Sequence, residues 1–188
     1  MSDRELRISA ETTPNPDTIK FNVTRQFFER GSVDFKTPES AQTSPLVKAL
    51  FDLQSVQAVL VGSNFITVTR KLDRSWPELV EPIVRTIRQI LEKENDPLGP
   101  VTVAEPEGGE VDDQAIAMQI RHILDSEIRP AVAQDGGDIV FYGYKEGVVT
   151  LHLQGACSSC PSSIMTLKMG VENRLKQSIP QVREVVQL

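Results

Sequence analysis

The sequence is poor in the residues that usually carry covalent or metal chemistry. It contains two cysteines, two histidines and 5% aromatic residues in a chain of 188. Two cysteines are too few for the disulfide framework of a small secreted protein. They are also too few for a four-cysteine metal site within one chain. A metal site built on cysteine must therefore take further ligands from elsewhere.

Long apolar runs and an excess of basic residues are lacking as well. No apolar stretch approaches the ~18 residues of a membrane helix, so we expect neither an integral membrane protein nor a membrane partner. Residues 1–92 contain 12 basic and 12 acidic side chains, and residues 114–188 contain 7 of each. Neither half has the basic excess of a nucleic-acid binder. The net charge of −6 arises in residues 93–113, which hold 1 basic and 7 acidic side chains.

The amino terminus predicts a cytoplasmic location. The first residues, Met-Ser-Asp-Arg-Glu-Leu-Arg, have no apolar core and include acidic side chains. These features match neither a secretory signal nor an organelle transit peptide. In a reducing cytoplasm, a cysteine pair favours metal binding or redox catalysis over a structural disulfide.

An acidic segment rich in proline and glycine divides the chain. Residues 93–112 contain three prolines and three glycines, a composition typical of a semi-extended linker. Structureless loops of this length are uncommon inside one domain. We therefore predict two small domains, residues 1–92 and residues 113–188, joined by this linker.

The first half predicts a small α+β domain. Runs rich in β-branched residues predict four strands, at residues 18–23, 33–35, 56–61 and 65–69. A hairpin is expected at Gly62, between the last two strands. Ser44 precedes a proline and predicts the start of a short helix, and Ser75 predicts the start of a longer one with an apolar stripe. This half shows no catalytic constellation.

The second half predicts another small α+β domain, with the order α-β-β-α-β. Its predicted elements are a helix at 115–133, a hairpin of strands at 139–144 and 148–154, a helix after Pro161 and a strand at 182–186. The first helix should bend or break before Pro130. The motif Asp135-Gly136-Gly137-Asp138 is expected to be a glycine turn that leads into the hairpin. The domain is too small for a doubly wound sheet.

Both cysteines lie in one motif, at the predicted junction between a strand and a helix. Cys157 and Cys160 are separated by two residues, so their sulfurs can converge on one metal centre. Pro161 suits the first helical position, where no backbone hydrogen bond is lost. The amide groups and partial positive charge at a helix N-terminus favour thiolate and sulfide. Because the motif lies outside the apolar stripes, we expect substitution of a cysteine to leave the fold largely intact.

Three chemistries are compatible with this pair. Structural zinc takes four ligands and would need His122, His152 or a second copy of the chain, although each histidine is more simply a polar side chain. A thioredoxin-like dithiol oxidoreductase also uses a helix N-terminus, but its βαβ surroundings are missing. An iron–sulfur cluster normally takes four cysteines, and two chains that meet about a twofold axis can each supply two of them. Such a cluster leaves when the dimer opens, which favours delivery over electron storage.

Motifs in both halves resemble those of one family. The second half contains three such stretches, Ile128-Arg129-Pro130, Asp135-Gly136-Gly137-Asp138 and the run from Leu153 to Lys168. The first half contains three more, the runs Thr13 to Phe21, Ser44 to Leu46 and Asn64 to Thr69. These residues resemble the Nfu family of iron–sulfur cluster carriers, whose C-terminal domain is similar to that of NifU. The resemblance covers both predicted domains and leaves mainly the linker unmatched.

The resemblance implies a 4Fe–4S cluster shared between two chains, with Cys157 and Cys160 of each chain as ligands. It implies a carrier rather than an enzyme, homodimeric when loaded. The carrier would accept the cluster from an assembly scaffold and deliver it to apo-proteins, and the first domain would recognise partners. The chain lacks the further cysteines of NifU itself, so cluster assembly from free sulfur is not expected. The alternative is a dithiol oxidoreductase that uses the same pair.

Overall fold

The computed structural model of the protein describes residues 5–101, 103, 109–158 and 161–188, with the backbone alone for 161–163. The chain divides into two compact units, Met1–Val103 and Ala104–Leu188. Each unit combines helices with a sheet around its own core, which confirms the predicted α+β class. No helix in the described residues is both long enough and apolar enough to cross a membrane.

The first unit is a five-stranded sheet with two helices packed on one face. The strand order is β1-β2-β5-β4-β3, and every neighbouring pair is antiparallel. Alternate residues of β2, such as Phe21, join both helices in one core. The elements are β1 Ile8–Thr12, β2 Thr18–Val23, β3 Val33–Phe35, α1 Pro45–Phe51, β4 Val56–Val61, β5 Phe65–Arg70 and α2 Trp76–Lys93, with a 3₁₀ turn at Pro38–Ala41.

Both helices of the first unit begin at the predicted serines. The Ser44 hydroxyl accepts the N–H of Val47 at 3.3 Å, which satisfies one of the amide groups left unpaired at the start of α1. At the start of α2, the N–H and hydroxyl of Ser75 both donate to the Glu78 carboxylate, at 3.0 and 2.7 Å. Local sequence chemistry therefore fixes where each helix starts.

Both ends of the predicted linker, residues 93–112, contact the unit that they adjoin. Leu98 is buried in the core of the first unit. At the other end, the carbonyl oxygen of Glu110 accepts the N–H of Tyr144 at 2.9 Å. Residues 102 and 104–108 lie outside the described part of the chain. The predicted domain limits stay predictions, and these contacts shorten the segment that is available as a linker.

The second unit packs helices on one face of a three-stranded sheet. Strand β7 lies between β6, to which it is antiparallel, and β8, to which it is parallel. This is the predicted order α-β-β-α-β. The elements are α3 Gln114–Ile123, α4 Arg129–Gln134, β6 Gly137–Lys145, β7 Val148–Gly155, α5 Pro161–Ser178 and β8 Glu184–Gln187, with a π-turn at Leu124–Ile128 and a 3₁₀ turn at Ala156–Ser158.

The helix predicted at residues 115–133 is interrupted by the π-turn Leu124–Ile128. The reason is Pro130, which lacks an N–H and whose ring crowds the preceding turn. The wider π-turn carries the chain into α4 without a helix break, and its extra residue changes which side chains share a face. Arg129, the residue after the π-turn, forms an ion pair with Asp125 at i,i+4 spacing, with Nη1 and Oδ1 2.9 Å apart.

Strand β8 lies at an edge of the described sheet, so its backbone amides that point away from β7 have no neighbouring strand to bind. A side chain of α5 binds one of these amides. The Glu172 carboxylate of α5 accepts the N–H of Val185 at 3.0 Å. The same carboxylate lies 2.5 Å from the ammonium of Lys176. The Lys176 hydrogen bond, followed by the Val185 N–H, lowers the pKa of Glu172, so the carboxylate stays charged at neutral pH.

Asp34 in β3 is a buried carboxylate that should destabilise the first unit at neutral pH. Its side chain is 7% exposed, and Lys36 lies 3.9 Å away. Burial raises the pKa of Asp34, and Lys36 offsets only part of that shift. Since the folded-state pKa exceeds the unfolded-state pKa, the proton bound by Asp34 stabilises the fold below the unfolded value. That contribution is lost as the pH rises through the folded value.

Asp34→Asn should therefore raise the Tm of the first unit at pH 7 by about 1–4 °C, since the substitution removes the buried charge. Near pH 3, where the aspartate is protonated in both states, the two proteins should melt together. Calorimetry of both proteins at the two pH values measures the difference. An equal gain at both pH values would assign the effect to packing instead of charge.

Candidate functional site

The cysteine motif lies where β7 meets α5, as predicted. β7 ends at Gly155, the turn Ala156–Ser158 follows, and α5 begins at Pro161. Gly155 has a φ of 63°, a left-handed conformation that glycine adopts without the Cβ penalty. The Ser158 hydroxyl donates to the Gly155 carbonyl oxygen at 2.9 Å and closes the turn. Cys160, the second predicted ligand, lies outside the described residues.

The sulfur of Cys157 rests directly on Gly137, the first residue of β6. Cys157 is 6% exposed and belongs to the core of the second unit, contrary to the expectation that the motif lies outside the apolar packing. A Cβ added at Gly137 would lie 2.6 Å from the cysteine Sγ and 3.1 Å from its Cβ. Real Cβ atoms essentially never come within 3.0 Å of a non-bonded heavy atom elsewhere in the chain. The Cys157 thiol therefore packs directly against the backbone of Gly137, and we refer to Gly137 as the thiol seat.

The motif Asp135-Gly136-Gly137-Asp138 forms the turn between α4 and the hairpin. Gly136 has a φ of 77°, which again suits glycine. Its carbonyl oxygen accepts the N–H of Ala156 at 3.2 Å. Gly137 then pairs with Gly155 at the end of the β6–β7 ladder. The turn thus leads into the hairpin, and it also holds the start of the cysteine turn.

A bidentate ion pair lies next to the thiol seat. Arg129 donates from Nε to Asp138 Oδ1 and from Nη2 to Asp138 Oδ2, each at 2.9 Å. Its Nη1 donates to Asp125 Oδ1 at 2.9 Å. The hydrogen bond to Asp138 is the largest cause of a raised Arg129 pKa, which keeps the guanidinium charged. The sequence analysis placed Arg129 and Asp138 in two separate motifs but did not predict that they form an ion pair. Their opposite charges, in segments that are otherwise apolar or turn-forming, were the available indication of that contact.

The two histidines do not complete a metal site within the described residues. His122 lies in α3 and His152 in β7, and no group of three or more His, Cys, Asp or Glu side chains in the described ranges is arranged to hold a metal ion. The described part of one chain therefore does not provide the four ligands of a zinc or iron site around Cys157.

Comparisons with known proteins match both units. Residues 8–94 match the family described as scaffold protein Nfu/NifU N terminal, and residues 120–186 match the NifU-like domain. The chain is 40% identical over 186 residues to the human "NFU1 iron-sulfur cluster scaffold homolog, mitochondrial", covering 98% of this chain and 73% of that protein. It is 42% identical over 189 residues to the protein of the same name in Drosophila persimilis, covering 98% of this chain and 66% of that protein.

Two solved structures are more distant. The solution structure of a NifU-like protein from Saccharomyces cerevisiae is 22% identical, with a TM-score of 0.47, and covers 54% of this chain and 92% of that one. The crystal structure of protein SAV1430 from Staphylococcus aureus is 19% identical, with a TM-score of 0.37, and covers 45% of this chain and 98% of that one.

The predicted cytoplasmic location is wrong. The human and Drosophila relatives are named mitochondrial, which points away from the cytoplasm. The prediction used the first seven residues alone. Because the chain spans only 66% of the Drosophila relative, those residues are no guide to targeting.

Proposed function

The chain belongs to the Nfu family of iron–sulfur cluster scaffold proteins, and from that premise we propose that it carries a 4Fe–4S cluster between two copies of itself and delivers it to apo-proteins. Cys157 and Cys160 of each copy are the proposed ligands. The observation that carries the proposal is the position of Cys157, between a strand and the start of an 18-residue helix in the NifU-like region. An assembly scaffold is the proposed donor.

The small number of thiols supports a shared cluster. Iron–sulfur clusters normally take four cysteine ligands, and this chain has two. The described residues of one chain offer no other metal-binding cluster. A second copy related by a twofold axis supplies the missing pair. The cluster then lies between the chains, so separation of the copies exposes it to a recipient.

The composition of the first unit supports a role for it that differs from cluster binding. It contains no cysteine, so it cannot supply a thiolate ligand. It nevertheless has its own core and its own family match. We assign to it the recognition of donor and recipient proteins, and we propose mitochondria as the place of action because the relatives are named mitochondrial.

The dithiol oxidoreductase gains no support from the site. A dithiol catalyst needs an accessible thiol, and Cys157, the described member of the pair, is buried against Gly137. The named relatives are scaffolds.

Anaerobic reconstitution with ferrous iron and sulfide tests the proposal. The product should be a brown dimer with about two iron and two sulfide per chain, as expected for one 4Fe–4S cluster per pair. Iron and acid-labile sulfide are measured per chain, and native mass spectrometry gives the mass of the loaded form. An apo 4Fe–4S acceptor protein should then gain the cluster as the dimer mass disappears. A colourless protein that binds only zinc, or a cluster held by a monomer, would contradict the proposal.

A further inference from the structure

We propose that the ion pair between Arg129 and Asp138 positions Cys157 by fixing Gly137, the seat of its thiol. The inference rests on the proposed function, since the position of the sulfur matters for the cluster that it would bind. Arg129 and Asp138 are positioning residues, because they act through the backbone of the neighbouring glycine.

The end of the hairpin needs such an anchor. Gly137 is the first residue of β6 and pairs with Gly155, the last residue of β7. Paired strands are stabilised largely by side chains that pack across the ladder, and these two residues have none. Glycine also loses more conformational freedom on ordering than any other residue. The ladder alone therefore holds the thiol seat weakly.

The Arg129–Asp138 pair supplies the anchor. Asp138 directly follows the seat in the chain, and its side chain is 10% exposed. Both carboxylate oxygens bind the guanidinium at 2.9 Å, a planar fork that fixes orientation as well as distance. Asp138 Oδ1 also accepts the N–H of Ile139 at 2.8 Å. The backbone on the far side of Asp138 is thus held by the same carboxylate.

The π-turn places Arg129 for this contact. Arg129 follows Leu124–Ile128 directly and is bound on its other side by Asp125, at the start of that turn. The guanidinium is therefore held between two carboxylates, one on the π-turn and one on β6. This arrangement connects the helical segment to the end of the hairpin where Cys157 lies.

A second bidentate pair in the same unit provides a matched control. Arg174 of α5 donates from Nε and Nη2 to the two oxygens of Glu127, at 2.6 and 2.7 Å. This pair also begins on the π-turn and uses the same fork geometry. It joins the π-turn to α5, whereas the Arg129 pair joins the π-turn to β6. Loss of the Arg174 pair should affect stability without moving the thiol seat.

The experiment compares the accessibility of Cys157 in full-length apo chains that also carry Cys160→Ser, so that one thiol reacts. Arg129→Lys and Asp138→Asn should each speed alkylation by iodoacetamide at a fixed pH about tenfold, because a loosened seat opens more often. Combining them should add little, since both break one contact. Arg174→Lys should change the rate less than about twofold. An unchanged rate in Arg129→Lys, or an equal rise in Arg174→Lys, would overturn the proposal.

A second measurement uses the unaltered chain and does not depend on a variant folding. The N–H of Ile139 binds Asp138, and the N–H of Ala156 binds the Gly136 carbonyl oxygen. If the ion pair holds the seat, these two amides should exchange with deuterium through one opening, with the same dependence on denaturant. Exchange of Ala156 through a separate, easier opening would show that the cysteine turn moves independently of the pair.

Iron loading separates this inference from the proposed function. With Cys160 retained, Arg129→Lys should bind less iron per chain than the unaltered protein, while Arg174→Lys should load normally. If the unaltered protein binds no cluster, the proposed function fails, and the alkylation and exchange results still decide whether the pair fixes Gly137.

Discussion

Replacing Cys157 by alanine should abolish cluster binding and the loaded dimer together. The substitution removes one ligand from each copy, so a pair of chains retains two thiolates of the four that a cluster needs. Iron per chain should fall from about two to below about 0.2, measured with sulfide after anaerobic reconstitution. Native mass spectrometry should show monomer alone under conditions in which the unaltered protein gives the loaded dimer.

The control for Cys157→Ala is the stability of the apo chain. Because Cys157 lies in the core of the second unit, loss of its sulfur should lower the free energy of unfolding by about 1 kcal/mol. That is too little to unfold the unit. Met118→Ala, at an exposed methionine of α3, should leave iron binding and dimer unchanged. A folded Cys157→Ala protein that still holds about two iron per chain would remove this cysteine from the ligand set.

Gly137→Ala should nearly abolish loading while both cysteines remain. The new Cβ would lie 2.6 Å from the Cys157 sulfur and 3.0 Å from the Gln154 carbonyl oxygen, so the cysteine turn must move. Overpacking of this kind lowers the free energy of unfolding by about 1–3 kcal/mol. We expect iron per chain to drop about tenfold, since a displaced sulfur cannot complete the cluster geometry. Iron analysis and denaturant unfolding measure the two effects.

Gly170→Ala is the matched control for Gly137→Ala. Gly170 lies within α5, and apart from its chain neighbours and the nearby backbone of its own helix, no heavy atom lies within 4 Å of a Cβ added there. Alanine in a helix interior should raise the stability of the second unit by about 0.5–1 kcal/mol and leave iron loading unchanged. Normal loading of Gly137→Ala would show that the cluster site does not depend on the thiol seat.

The parts of the fold that were predictable depend on local pattern. Strands β2, β3 and β4 have the predicted limits because these segments are rich in β-branched and aromatic residues, which favour strands. Strand β1, Ile8–Thr12, was missed. Four of its five residues are exposed, so it lacks the apolar alternation that marks a strand. Its place is set by pairing with β2, a contact that local pattern does not reveal.

The candidate site was predictable only in part, for the same reason. The junction of strand and helix around Cys157 follows from local patterns and from the cysteine spacing. The contact between Gly137 and Cys157 joins residues that are 20 positions apart in the sequence, so local pattern does not reveal it. The Arg129–Asp138 pair depends on the direction in which the π-turn orients the Arg129 side chain. Pro130 signalled an interruption of the helix, but not its type. The ligand role of Cys160 stays a prediction.

The edge of the second sheet bears on how two copies separate. Unpaired edge amides invite another chain to add a strand, and such an association would persist whether or not a cluster is present. With the Val185 amide already bound by Glu172, the edge of β8 offers less to a neighbouring chain. If the chain works as proposed, we expect two copies to be held together mainly by the shared cluster, so that transfer of the cluster also separates them.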